Sequence, residues 1–293
     1  MTILVTGSTG NVGSQVVAQL AQRGADVRAL VRVAEQQKKL PAGVTPVTGD
    51  LTDVDSMRTA LKGVRTLFLL NAVAPDELTQ ALITFGLARE AGIERFVYFS
   101  VIHADKYTDV PHFTGKYAVE RMIEQFDLPV TILRPAYFMQ NDMSLKDALI
   151  GKGVYPMPIG STGAAMVDTR DLAEVAALNL IKRDEAAGPL PREVLDVVGP
   201  EVLTGIAIAG LWSEVLKRPI QYSGNDTAAF EQQMKAYAPG WMAYDMRLMM
   251  GRIQEDGMLP DPGDTERLTQ LLGRPLRSYR DFAAEAAEQW QAG

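Results

Sequence analysis

Thr6-Gly7-Ser8-Thr9-Gly10-Asn11-Val12-Gly13 stands between a β-rich run, Ile3 to Thr6, and a stretch in which Val12, Val16, Val17, Leu20 and Ala21 recur at helical spacing. Strand, glycine turn and helix in that order form a site for a diphosphate. The first glycine permits a positive φ and lets the backbone approach an anion with no Cβ in the way. The helix that follows aims free N–H groups and its positive end at the anion. The third glycine allows helix and strand to come close. A merely structural turn would share this spacing, but the motif lies in the first βα unit and a second strand follows at the right distance, so dinucleotide binding is expected. No Lys-Ser/Thr pair closes the loop, which disfavours a P-loop nucleotidase.

Outward from that loop, strand candidates at Val27–Val31, Val44–Val47, Thr66–Leu70, Phe96–Phe99 and Val130–Leu133 alternate with helical patterns. One pattern carries Met57, Ala60 and Leu61, capped by Asp53 or Asp55. Another carries Leu78, Leu82, Phe85 and Ala88. Near-continuous apolar strands alternating with helices predict an α/β fold, a doubly wound parallel sheet of six or seven strands in the order 3-2-1-4-5-6. The rhythm changes near residue 140. We expect a dinucleotide-binding domain over 1–139, with 164–199 packing back onto it, and a smaller substrate-binding region from 140–163 and 200–293. Ala164–Val167 and Val194–Val198 read as strands. Gly160-Ser161-Thr162-Gly163 repeats the letters of residues 7–10, but a strand pattern follows it, so it reads as a turn.

The 293 residues are 47% hydrophobic and 22% charged, ordinary for a globular protein, which argues against disorder and coiled coil. The formal charge of −7 lowers the prospect of nucleic-acid binding. The absence of cysteine excludes disulfides and a thiol nucleophile, and two histidines make a His-rich metal site improbable, so no metal is expected. No apolar run is long enough for a bilayer. A cytoplasmic monomer or homodimer with no membrane partner is the expectation.

The end of the second strand selects the cofactor. An acid there would hold a ribose 2′-hydroxyl, and a cation would accept a 2′-phosphate. Leu30-Val31-Arg32 offers a cation with a planar fork, which predicts NADP(H) over NAD(H). The plainer reading of Arg32 is a solvated loop residue.

These stretches, with Gly49-Asp50-Leu51-Thr52-Asp53, Phe113-Thr114-Gly115-Lys116 and Thr131-Ile132-Leu133-Arg134-Pro135-Ala136-Tyr137-Phe138, resemble the atypical short-chain dehydrogenases/reductases and, more narrowly, the NmrA-like family. Leu272-Gly273-Arg274-Pro275 followed by Phe282 extends the likeness to nearly the whole chain. That family includes NADPH-dependent quinone and dye reductases and also non-catalytic NADP(H) sensors that bind a partner protein. The resemblance implies cofactor contacts from Gly7, Thr9, Gly10, Asn11, Val12 and Gly13, from Asp50 and Leu51 at the adenine, and from Asn71 and Ala72 along the ribose and diphosphate. It also implies Lys116 at the nicotinamide ribose, and Pro135, Tyr137 and Phe138 at the nicotinamide ring. Asp50 as a turn acid and Asn71 as a turn residue are the plainer alternatives.

The chain departs from the standard short-chain dehydrogenase at one decisive point. The frame Tyr-x-x-x-Lys, with a serine after the fifth strand, becomes Ser100, His112 and Lys116. Tyr107 and Tyr117 are out of register. Ketone chemistry through a tyrosine acid is therefore in doubt, whereas hydride transfer to a quinone-like or other conjugated acceptor needs no strong acid. Ser100, His112 and Lys116 are the catalytic candidates, with a proton from His112, Lys116 or water. A packing role for His112 stays open, and His103 reads as a loop residue. Six of the thirteen methionines lie between 234 and 258. Met242, Met246, Met249 and Met250 share one helical face, either an adaptable aromatic-binding surface or a core stripe. Phe138, Asn141, Trp241, Met242 and Met246 are the acceptor-binding candidates, and Trp212 and Trp290 are expected to pack.

Overall fold

Short apolar strands that cannot stand alone in water assemble here by parallel pairing. The computed structural model describes residues 2–292, and its strands are β1 (Thr2–Val5), β2 (Asp26–Val31), β3 (Thr45–Thr48), β4 (Val64–Leu69), β5 (Phe96–Phe99), β6 (Val130–Pro135), β7 (Val154–Tyr155), β8 (Glu193–Val197) and β9 (Gln221–Tyr222). Seven of them form a parallel doubly wound sheet in the order β3-β2-β1-β4-β5-β6-β8. Val5 pairs with Ala29 on one side and with Phe68 on the other. The order reverses between β1 and β4, the place where open α/β sheets open a crevice at the strands' carboxyl ends.

The chain divides into two compact units. The first holds residues 1–104, 112–134 and 169–195. Its helices are α1 (Asn11–Gln22), α2 (Val54–Leu61), α3 (Glu77–Glu90), α4 (Pro111–Gln125) and α5 (Thr169–Glu185), with the first residue of α4 outside the unit. Alternate strand residues divide the core between two faces. Leu4, Leu67, Leu69, Phe96, Tyr98 and Ile132 pack with Met57 of α2, Phe85 of α3 and Ile123 of α4. On the opposite face, Thr66 donates to Asp184 of α5 at 2.8 Å, and the buried Arg183 of α5 donates to Thr131 at 2.6 Å. Gln15 of α1 reaches Thr169 at 2.9 Å, tying α1 to the start of α5. Asp53 caps α2 by accepting from the backbone of Asp55 and Ser56.

The second unit holds residues 105–111, 135–168 and 196 onward. It carries α6 (Gly205–Leu216), α7 (Thr227–Met234), α8 (Gly240–Glu255), α9 (Asp264–Leu272) and α10 (Tyr279–Ala292), with β7 and β9 paired as a small parallel ribbon. Phe282, Ala283, Ala286, Ala287 and Trp290 are buried along α10. Trp212 of α6 stacks on Trp290 at 5.1 Å. Both tryptophans pack as expected.

Three local expectations differ. Ala164–Val167 is no regular strand. Its backbone bonds Leu203, Met258 and Tyr137 in turn, so it threads between three partners instead of pairing with one. Leu82 is 40% exposed, whereas Phe85 and Ala88 of the same stripe are buried together with Ala81 and Leu87. Met249 and Met250 are buried core residues, while Met242 and Met246 are half-buried, so the methionine face is divided. Gly160 and Gly163 both have positive φ in the turn that the sequence pattern suggests.

Candidate functional site

The loop after β1 is built for close approach. Gly7 has φ of 59°, and a Cβ there would lie 2.2 Å from the Leu70 side chain. A Cβ on Gly13 would lie 2.1 Å from the Gly7 carbonyl oxygen. Thr6 knits the ends of β1 and β4 together: its hydroxyl donates to the Leu70 carbonyl at 2.9 Å and accepts from the Leu70 N–H at 2.8 Å. Ser8 is buried and donates to Leu30 at 2.6 Å. Gly7, Gly10 and Asn11 are exposed, Thr9 is half-buried and Val12 faces the core. No side chain caps α1, and its first turn holds no acid. Exposed, uncapped N–H groups at a helix start attract anions.

Arg32 follows β2 and is exposed. Its backbone N–H donates to Gln36 at 2.9 Å, and its guanidinium makes no hydrogen bond or close ion pair among the described residues, although its charge reaches Asp50. Asp50, beyond β3, accepts from the Thr52 N–H at 2.9 Å and the Thr52 hydroxyl at 2.7 Å. Those bonds, aided by Arg32, hold its carboxyl below the ordinary range. Asp50 is thus a turn acid with its other oxygen unused, and Leu51 beside it is half-buried against the core.

Beyond β4, Asn71 is buried. Its amide donates to Gln80 of α3 at 3.2 Å, and its Oδ1 has no hydrogen-bond partner. Ala72 next to it is exposed. One turn of α3 before Gln80 stands Glu77, whose Oε1 accepts from Lys116 Nζ at 2.6 Å. The same ammonium donates to the Phe99 carbonyl at 3.2 Å. Both side chains of this ion pair are less than 10% exposed, and Glu77 Oε2 is buried without a donor.

Ser100 is also committed. Its hydroxyl donates to Glu120 at 2.5 Å, and Glu120 is bound by Arg134 through contacts of 3.1 and 2.5 Å. Its hydroxyl hydrogen is therefore spent inside the fold. His112 stands one helical turn before Lys116, half-buried, with its ring against the Phe113 ring at 4.7 Å. His103 is a buried loop residue in the left-handed region.

The remaining candidates lie in the second unit. Pro135 ends β6. Tyr137 is buried, with its carbonyl accepting from Val167 at 2.9 Å, Phe138 is half-buried and Asn141 is exposed. Burial and the nearby Asp142 push the Tyr137 phenol far above its usual range. Asp142 is fully buried, accepts from the Tyr279 hydroxyl and keeps Oδ1 unpartnered. Burial raises its carboxyl to about 7, despite the Tyr279 bond and the nearby Tyr155 hydroxyl. Trp212 donates to Tyr279 at 2.9 Å and extends this network. Trp241 and Tyr244 on α8 are exposed.

Sequence reasoning missed Glu77, Gln80, Glu120 and Asp142. Glu77 looks like any acid at a helix start, and Asp142 falls in a loop-like stretch. Each acquires meaning only from a partner distant in the chain. The first unit fits a dinucleotide: its cradle admits no Cβ at Gly7 or Gly13, and Asn71 offers a buried acceptor that lacks a donor.

The NmrA-like family matches over residues 1–270. The chain belongs to that family. Among similar proteins, an NAD(P)H azoreductase of Xenophilus azovorans is 30% identical over 294 aligned positions, covering 99% of both chains. Among solved structures, the quinone oxidoreductase QOR2 of Escherichia coli complexed with NADPH superposes with a TM-score of 0.85 at 22% identity, over 97% of this chain and 99% of the other. The triphenylmethane reductase of a Citrobacter species complexed with NADP(H) gives 0.85 at 23% identity, also over 97% and 99%. These two structural likenesses speak to the fold. Among the described residues no helix is long and apolar enough to cross a membrane, and no cluster suits a metal.

Proposed function

We propose that this chain is an NADPH-dependent reductase that passes hydride to a quinone-like or similarly conjugated small acceptor. The observation that carries the reading is the bare start of α1, uncapped, free of acid and framed by glycines that leave no room for a side chain. That the chain is an NAD(P)H-dependent oxidoreductase rests also on the full-length likeness to an NAD(P)H azoreductase.

In this reading Gly7, Thr9, Gly10, Asn11, Val12 and Gly13 receive the diphosphate on backbone N–H groups. Arg32 receives the 2′-phosphate, Asp50 and Leu51 line the adenine, and Asn71 with Ala72 lines the ribose. Lys116 orients the nicotinamide ribose, and Pro135, Tyr137 and Phe138 back the ring. A bound nicotinamide supplies the hydride. Asn141, Trp241, Met242 and Met246, with Phe138, hold the acceptor, and proximity does most of the acceleration. Ser100 points its hydroxyl hydrogen at Glu120, so its part in the site would be to position the acceptor and not to supply the proton. His112 stands in the slot of the missing tyrosine, and the proton comes from it, from Lys116 or from water, for an acceptor that needs little acid.

The test is absorbance loss of NADPH with benzoquinone, naphthoquinones, an azo dye and a triphenylmethane dye. Turnover with at least one supports the reading. Saturable NADPH binding with no turnover of any acceptor would instead support a non-catalytic NADP(H) sensor.

A further inference from the structure

We infer that Glu77 is a second ligand for the nicotinamide ribose, acting with Lys116 as a donor–acceptor pair that reads the ribose diol. The inference rests on the reading that places Lys116 at that ribose. An ammonium has three N–H donors. Glu77 and the Phe99 carbonyl take two of them, which leaves one for a ligand. Glu77 uses Oε1 for Lys116 and keeps Oε2 buried without a donor, although it is only 6% exposed. Asn71 Oδ1 is a second buried acceptor with no donor, and Asn71 is joined through Gln80 to the turn of α3 that carries Glu77.

Buried acceptors without donors are costly, and native folds seldom keep them unless something else satisfies them. One such atom is on the loop after β4 and the other in the first turn of α3, and the second belongs to the carboxylate that holds an ammonium with one donor to spare. A vicinal diol is complementary to that set: its two hydroxyls donate to carboxylate and amide oxygens, and one hydroxyl oxygen accepts from the ammonium. The carboxylate therefore does two things. It fixes the Lys116 ammonium in direction, and it binds the sugar.

The experiment separates the two halves of the cofactor. Dissociation constants are measured by fluorescence and calorimetry for NADPH and for adenosine 2′,5′-bisphosphate, which lacks the nicotinamide riboside. Variants are Glu77→Gln and Lys116→Met. Glu77→Gln keeps the shape but replaces the free acceptor by an amide donor. It should weaken NADPH at least tenfold while the bisphosphate changes less than twofold, with Lys116→Met showing the same split. If Glu77→Gln leaves NADPH within twofold while Lys116→Met weakens it, the inference is overturned and the placement of Lys116 stands. If neither variant affects NADPH, the placement itself fails. If Glu77→Gln weakens both ligands equally, Glu77 serves the fold and the inference is overturned.

Discussion

The loop at the start of α1 and the buried cluster around Asp142 specify their chemistry in opposite ways. The loop works through what is missing: no Cβ at Gly7 or Gly13, no cap on α1, no acid in its first turn. What it would offer a ligand is backbone N–H groups, available wherever the chain takes that path. The Asp142 cluster works through side chains gathered from α6, α10 and the segment after β6, where Trp212, Tyr279 and Asp142 form one hydrogen-bonded line. The first arrangement is local and open to solvent, and the second is non-local and buried. Lys116 and Glu77 lie between these extremes, a buried pair from two helices within the first unit.

The largest effect should come from putting back the atom that the loop excludes. Gly13→Ala places a methyl group 2.1 Å from the Gly7 carbonyl, and neither backbone can yield cheaply. NADPH affinity should fall at least about a hundredfold, because the diphosphate contacts depend on that turn. The check is a fluorescence titration beside a thermal melt. Near-normal affinity would show that the loop is not the diphosphate site.

Next comes the buried pair. Lys116→Ala should reduce turnover about a hundredfold through misplacement of the reacting groups, and His112→Ala clearly less than that, since a general acid ordinarily contributes about a hundredfold or more. Lys116→Ala also strands the Glu77 carboxylate, which costs about 3–5 kcal/mol for a broken buried pair. Turnover is therefore compared well below the melting temperature and at saturating NADPH. If His112→Ala abolishes turnover with cofactor binding intact, His112 is the proton donor and acid-independent reduction is wrong.

The same contrast explains what could be read from residues alone. The sheet order and the loop were legible because continuous apolar strands, helical spacing and Gly7-x-x-Gly10-x-x-Gly13 are local patterns. The burial of Met57, Phe85 and Trp290 followed from periodicity. Ala164–Val167 has strand composition but makes bonds to three separated segments, and composition records no partners. Leu82 fits a helical stripe, yet a wider face of α3 turns inward. Ser100 occupies the expected place after β5, but only the folded chain shows Glu120 taking its hydroxyl. Glu77 carries no local signal at all.

Asp142 tests the non-local extreme. Its carboxyl is raised to about 7 in the folded chain, against 3.8 for an ordinary aspartate. Below the lower value, folded and unfolded chains both hold the proton. Between the two only the folded chain does, so its stability falls as pH rises and levels off above about 7. Asp142→Asn preserves the neutral shape and removes this slope. Between pH 5 and 8, wild type should lose at most about 3 kcal/mol relative to the variant, from about two pH units at 1.36 kcal/mol each. Urea unfolding of both proteins at the two pH values measures it. Parallel pH dependence would mean that Asp142 ionises in the fold much as an exposed carboxylate does.

The smallest effect belongs to Arg32, an exposed side chain within the local, open region. Its guanidinium makes no hydrogen bond or close ion pair among the described residues, and its backbone bond to Gln36 would survive substitution. Arg32→Ala should therefore leave the loop and the fold as they are. A charge-assisted bond to a 2′-phosphate is worth about 1.5–3 kcal/mol, roughly ten- to a hundredfold in affinity, and solvent exposure favours the lower figure. NADPH should weaken about tenfold and NADH should not change, so the variant loses its preference between the two. The loss should shrink as salt is raised, because an exposed charge pair is screened. Equal wild-type affinity for NADPH and NADH, or equal weakening of both in the variant, would remove Arg32 from cofactor selection and return it to the solvated loop.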